Sequence, residues 1–185
     1  MLRGRGHLRV SGSGTKTPEV SGYPVCSVVL ALAIAWAGCS HASRGDPCAH
    51  RGTLVLVRMH AHRLSLCANG HRSASFPVAL GSSGFGKRQR GDDRTPLGAY
   101  PLGPPRASKK FGIFIPIGYP TASQRAQGFT GSDVGIHGPL RRAAWLGRLN
   151  TWFDITKGCV MVGSDAEIGR IAQFVRARHP RIALE

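Results

Sequence analysis

Asn69-Gly70 lies between two β-prone runs, Arg63–Ala68 and Ser73–Leu80. Both turn residues tolerate positive φ, so the pair closes a tight hairpin and fixes two strands as antiparallel neighbours. A further run, Thr53–Arg58, precedes them across a turn at Met59–His62, so the domain opens as a β-meander. With 25 glycines and 12 prolines against 7% aromatics, a turn-rich β domain is favoured over a helical bundle. Further along, residues 81–98 read as a loop, Tyr100–Gly103 as a short strand and Phe111–Ile115 as another. Residues 121–132 are polar, a surface loop or lid; Val134–His137 is strand-like, and Arg141–Leu149 holds a short helix. Ser164-Asp165-Ala166-Glu167 fits a capping box, and Ile168, Ile171, Ala172 and Val175 recur at helical spacing. A helix is therefore expected over 165–178, stopped before Pro180, with a last strand at Arg181–Leu184. No internal repeat is visible.

The only long apolar run, Val25–Gly38, has 14 residues. A membrane-spanning helix needs about 20, whereas a signal-peptide core is this short. Arg3, Arg5, Arg9 and Lys16 against the single Glu19 supply the basic region before it. Residues 1–38 are read as a signal peptide, 39–52 as a tether and 53–185 as the folded domain. Ala37-Gly38-Cys39-Ser40 resembles the lipobox of bacterial lipoproteins, with Cys39 as the lipidation site, although Trp36 departs from the small aliphatic residue usual there. An ordinary cleaved signal and an uncleaved anchor are the alternatives. All three put the domain outside the cytoplasm, in the periplasm or cell envelope.

The chain carries a net charge of +16, and residues 39–185 keep +13 of it. That charge favours anionic surfaces such as cell-wall polymers or lipid headgroups. Nucleic acid would suit the charge, but export and the scatter of the basic residues argue against it. Of the five cysteines, Cys48, Cys67 and Cys159 fall beyond the leader and Cys39. An oxidising compartment favours pairing Cys48 with Cys67, leaving Cys159 as the odd thiol; two buried free thiols are the alternative.

Chemistry concentrates at His137-Gly138 and at Asp154-Ile155-Thr156-Lys157-Gly158-Cys159-Val160. A cysteine and a histidine 22 residues apart, each beside a glycine, are the minimum for a thiolate nucleophile with a base. The glycines let backbone groups approach a substrate closely. His60-Ala61-His62 would place two imidazoles on one strand face, with His71 and His50 nearby. Nothing spaces a third ligand reliably, so no metal site and no cofactor are expected.

With those residues in place, the chain resembles the L,D-transpeptidase catalytic domain family, the YkuD type. The family pattern of His-Gly, a spacer, and Ser/Thr-x-Gly-Cys-hydrophobic reads here as His137-Gly138 and Thr156-Lys157-Gly158-Cys159-Val160. Thr95-Pro96-Leu97-Gly98 resembles a Thr-Pro-x-Gly element of the family. The run Gly91–Pro96, with Trp145 and Gly147, resembles a murein L,D-transpeptidase branch that also includes a relative that detaches lipoprotein from peptidoglycan. Many members carry Arg or Asn two residues after the cysteine; this chain has Met161.

The resemblance implies a mainly β fold, a YkuD-like β-sandwich or barrel with one or two short helices, one near the C-terminus. It implies a peptidoglycan enzyme of cell-wall organisation and cell shape. Cys159 would be the nucleophile and His137 the base, oriented by the carbonyl of Gly138. The N–H groups of Lys157, Gly158 and Cys159 would form the oxyanion hole. Tyr119, Thr156 and Lys157 are the expected substrate contacts. The substrate would be a peptidoglycan stem peptide, cut before its terminal D-amino acid, with the acyl group passed to an amine of another stem or of a lipoprotein. Hydrolysis, releasing D-Ala or a wall-linked lipoprotein, is one alternative; a catalytically silent wall-binding lipoprotein is another. Several residues have a plainer reading. Lys157 can simply face solvent, Tyr119 can pack beneath the groove, and Asp154 and Thr156 can hold the loop before Cys159. Trp145 and Trp152 read as core or rim packing, and Asp92-Asp93 as a surface turn.

Overall fold

The structure, a computed structural model, describes residues 45–185. The signal peptide, Cys39 and the first part of the tether lie outside the described residues. Nine strands form one sheet: β1 Leu54–Arg58, β2 Arg63–Ala68, β3 His71–Ala79, β4 Gly98–Pro101, β5 Arg106–Ser108, β6 Gly112–Pro116, β7 Gly135–His137, β8 Val160–Val162 and β9 Arg181–Leu184. Their spatial order is β4-β9-β1-β2-β3-β8-β7-β6-β5, and the sheet curls into a half-barrel. The fold is mainly β, as expected from the glycine and proline content.

The β1-β2-β3 meander forms as read, with Asn69 (φ 51°) and Gly70 (φ 81°) at the hairpin turn. β1 is buried at its centre on both faces, Val55 and Val57 in the main core and Leu56 beside Cys48 and Cys67, while β9 pairs along its edge in parallel, Leu54 opposite Arg181. Helix α2, Asp165–Arg178, packs against the sheet with Ile168, Ile171, Ala172 and Val175, all buried in the core. Burial of four such side chains contributes several kcal/mol and anchors the helix on the sheet. Ser164 caps it by accepting from the Glu167 N–H at 3.3 Å. The reciprocal half of the expected box is shifted by one residue: the Glu167 carboxylate accepts from Gly163 N–H at 2.9 Å, not from Ser164. His179 ends the helix in the left-handed conformation just before Pro180.

Three elements escaped the sequence reading. β5 and β8 have three residues each, too few for alternation to register. Helix α1, Ala122–Ala126, is a single turn inside the stretch read as a loop, held by a capping box between Thr121 and Gln124. The expected helix after residue 140 is a 3-10 segment, Arg141–Thr151, broken at Gly147. The buried amide of Asn150 ties it down by donating to the carbonyls of Ala143 and Gly147 at 3.0 and 2.9 Å. Its aromatic residues do not pack as read: Trp145 is 82% exposed and Trp152 72%.

Residues 45–52, the described part of the tether, are held against the domain. Asp46 accepts from the N–H groups of Cys48 and Arg72, and Cys48 is joined to Cys67 by a disulfide with Cα atoms 5.3 Å apart. Both cysteines are fully buried beside Leu56. The bridge closes a span of 19 residues. Chain-entropy arguments put its contribution at about 3 kcal/mol. The double variant Cys48→Ala/Cys67→Ala should lose stability by about that amount in urea denaturation, and reductant should destabilise the parent but not the variant.

Candidate active site

The site is built on β7 and β8, which run in parallel with Ile136 opposite Val160 and His137 opposite Met161. Cys159 directly precedes β8, one position before Val160, and so lies alongside Gly135. Side chains alternate across a strand, so His137, Met161 and Cys159 share one face. With strands about 4.8 Å apart and a two-residue offset along them, the Cα atoms of His137 and Cys159 are roughly 8 Å apart, within side-chain reach. Gly135 lets β6 and the Phe114 ring pack closely beside it. A Cβ there would lie 2.4 Å from the Phe114 ring and 2.6 Å from the carbonyl of Ile115. Both residues line one open groove of about 500 Å³.

His137 is 3% exposed. Its ring stacks on Phe111 with centroids 3.8 Å apart, and Phe114 lies parallel at 6.3 Å. Nδ1 is 2.7 Å from the carbonyl oxygen of Gly138. A carbonyl only accepts, so Nδ1 carries the proton and Nε2 keeps its lone pair. Gly138 cannot be larger, since a Cβ would sit 2.8 Å from the Phe111 carbonyl. Burial pushes the imidazole pKa down to about 4, and the Lys110 charge adds to that, against the opposing bond to Gly138. Burial pushes the Cys159 thiol up; the Gly135 backbone and the Lys87 and Lys110 charges oppose that shift, while Asp133 adds to it. Its Sγ lies 3.5 Å from the Asp133 carbonyl. Burial therefore works against charge on both groups, so their surroundings favour neither the thiolate nor the imidazolium.

The loop before Cys159 is held by Thr156. Its hydroxyl donates to the Cys159 carbonyl at 2.7 Å and accepts from the Gly158 N–H at 3.1 Å. The hydroxyl expected to contact substrate is thus consumed within the loop. The same bond corrects the oxyanion-hole expectation: the Gly158 N–H is already engaged, leaving those of Lys157 and Cys159 as candidate donors. Gly158 has φ +110°, and a Cβ on it would meet the Arg94 carbonyl at 2.4 Å. Arg94 belongs to a loop that Asp92 organises. The Asp92 carboxylate accepts from Lys87 Nζ at 2.6 Å and from the N–H groups of Arg88, Gln89 and Arg94. Burial opposes its ionisation, but those donors hold its carboxyl far below the usual range. The Asp92-Asp93 stretch is therefore more than a surface turn. Asp154 also braces the loop, accepting from Leu80 N–H at 2.7 Å and pairing with His62 at 2.9 Å.

Tyr119 is not in the groove. It is 6% exposed, and its hydroxyl donates toward the carbonyls of Lys87 and Thr130. A phenol so buried and satisfied has no face left for a peptide. Lys157 is exposed at the groove edge. His60 and His62 do not act together, since His60 packs edge-on against Phe85. The groove wall that sequence reading missed comes from the β5–β6 hairpin: Arg106, Lys110, Phe111 and Phe114. Only the strand register makes these residues neighbours of His137.

The model of the L,D-transpeptidase catalytic domain, YkuD, matches residues 52–182. The chain belongs to this family. Among curated proteins there is no match. Several solved structures share the fold. The helical cell shape determining protein Pgp2 from Campylobacter jejuni superposes with a TM-score of 0.62 at 23% identity, and Bd1075 of Bdellovibrio bacteriovorus with 0.54 at 21%. Each alignment covers 72% of this chain and 47% of the other, so the chain spans about half the length of these relatives. No helix among the described residues is long and apolar enough to cross a membrane.

Two outcomes follow from this geometry. Gly158→Ala should lower kcat about 100-fold or more in a donor-turnover assay, because the Cβ must displace either the Arg94 backbone or the Cys159 loop. His137 also sets an acid slope on stability. Its folded pKa lies below the unfolded 6.5, so stability is full above pH 6.5 and falls as pH drops toward 4, by about 3 kcal/mol in all. Urea midpoints measured across that window should show the slope in the parent and lack this part of it in His137→Gln.

Proposed function

We propose that the domain is a peptidoglycan L,D-transpeptidase with Cys159 as nucleophile and His137 as base. The observation that carries this reading is the pairing on one groove of a free cysteine with a histidine whose tautomer is fixed by the Gly138 carbonyl. As Cys159 Sγ attacks the carbonyl carbon of the stem peptide, the S–H proton passes to His137 Nε2. Because burial works against charge on both groups, transfer accompanies attack instead of preceding it. The tetrahedral oxyanion is met by the N–H groups of Lys157 and Cys159, which need no reorganisation. Collapse breaks the C–N bond, and the leaving amine takes the proton from His137. The resulting thioester is opened by an amine nucleophile, whose proton His137 accepts in turn.

Whether the acceptor is another stem, giving a 3→3 crosslink, or the amine of a lipoprotein is set by what reaches the groove; water in that place makes the enzyme a carboxypeptidase or a releasing amidase. The chain acts in cell-wall organisation and, like the protein from Campylobacter jejuni named for it, in cell shape. Export through residues 1–38, with a lipid on Cys39, would hold the basic domain against the anionic wall. The buried disulfide supports an oxidising location.

Incubation with a carbapenem should add one acyl mass to the protein, and Cys159→Ala should abolish the adduct. Absence of an adduct on the folded parent would support a silent wall-binding protein. Muropeptide analysis of purified sacculi after incubation then separates crosslinking from hydrolytic release.

A further inference from the structure

The crossover between His137 and Cys159 is amphipathic in the reverse sense. The buried residue of its 3-10 segment is Asn150, while Trp145, Leu149 and Trp152 stand in solvent, followed by Phe153 and Ile155 at 73% and 57% exposure. Among the described residues, Leu97 is the one large exposed hydrophobic side chain outside this stretch. Single apolar residues on a surface are ordinary, but a run of them marks a docking face. Leu149 and Trp152 are one 3-10 turn apart and so project from the same side.

The polar groups of the stretch are turned inward. Asn150 serves the carbonyls of Ala143 and Gly147, the Trp145 indole N–H donates to the Arg142 carbonyl at 3.2 Å, and the Thr151 hydroxyl donates to the Arg148 carbonyl at 2.8 Å. Asp154 is committed to Leu80 and His62. Outward there remain rings, aliphatic chains and cations. Arg142 and Lys157 are exposed without a carboxylate partner among the described residues, and the exposed Arg148 reaches Glu167 only at 3.9 Å. A sugar polymer would need hydroxyl partners beside the rings, and the side chains suited to that are bound to the backbone. A second copy of the chain would bring the same cations face to face across a two-fold axis. An anionic bilayer matches both halves of the surface: headgroups receive the cations, and the boundary with the acyl chains receives Trp, Phe and Leu.

We infer that Trp145–Ile155, with Arg142, Arg148 and Lys157 around it, docks on the surface of an anionic lipid bilayer. Ile155 also lines the groove, so the docked segment holds the groove edge at the lipid surface. Docking needs no chemistry at Cys159.

The chain has three tryptophans, and Trp36 lies outside the described residues. In the full chain carrying Trp36→Phe, indole emission therefore reports on Trp145 and Trp152. The readout is quenching by lipids brominated on their acyl chains, because the apolar run Val25–Gly38 can bring the chain to a vesicle without this segment. With phosphatidylglycerol vesicles, emission should fall about twofold or more, and bromines near the headgroup should quench more than bromines at the chain end, as for a segment about 5–10 Å deep. Phosphatidylcholine vesicles should quench less, and salt at about 0.5 M should weaken the phosphatidylglycerol signal. Arg142→Gln/Arg148→Gln should remove the preference for the anionic lipid, and Leu149→Ser/Phe153→Ser should lower quenching by both lipids, with thermal melts matching the parent. Equal quenching of the parent and both variants would overturn the docking face, and so would emission that neither lipid quenches. A blue shift that appears without lipid and grows with protein concentration would overturn it in favour of a second copy. A shift given by glycan chains stripped of peptide, with no quenching by vesicles, would overturn it in favour of a sugar platform.

Discussion

The parallel pairing of β7 with β8 is the constraint on which the site depends. His137 and Cys159 come from separate segments, and only the Ile136–Val160 register puts them on one face. A slip of one residue would turn Cys159 to the other side of the sheet and separate sulfur from imidazole. The register is locked by burial on both faces, since all three residues of each strand are buried. Parallel neighbours also require a crossover of a dozen or more residues. The stretch between the histidine and the cysteine is that crossover, and the 3-10 segment Arg141–Thr151 occupies its middle.

Around this pairing the domain commits buried and half-buried polar side chains to the backbone. Thr156, Asp92, Asp154 and Asn150 bind loop N–H or C=O groups that the short strands leave unpaired. An unpaired buried polar group would cost about 1–3 kcal/mol, so these contacts hold the Cys159 loop in one shape. The result is a nucleophile positioned by rigid backbone and a base clamped between rings and a carbonyl. Burial works against charge on both groups.

Much of this was legible in the chain. Asn69-Gly70 marked its hairpin, Ser164 capped its helix, and the glycines beside His137 and Cys159 flagged the two segments that meet. What failed did so for identifiable reasons. Tyr119 looked like a groove residue because aromatic residues near a site invite that reading, but its hydroxyl satisfies two buried carbonyls instead. Trp145 and Trp152 read as packing residues because large apolar side chains usually are, and both stand in solvent. Gly158 looked like an oxyanion donor, yet its N–H is claimed by Thr156 two residues earlier. The Tyr119 outcome has no local signal, since it depends on carbonyls from across the fold, whereas the Thr156–Gly158 bond is a local turn in which a hydroxyl competes for the backbone.

The sequence by itself determined the family, the β meander, the C-terminal helix and the two reactive side chains, because these rest on local turn chemistry, capping, periodicity and residue type. Tertiary structure alone decided that Arg106, Phe114, His137 and Met161 form one rung, that burial works against charge on both reactive groups, and that the Tyr119 hydroxyl is taken up by the carbonyls of Lys87 and Thr130. The reason is physical. Register, desolvation and hydrogen-bond partnership are set by groups distant along the chain, and they acquire values only once the sheet has curled around α2.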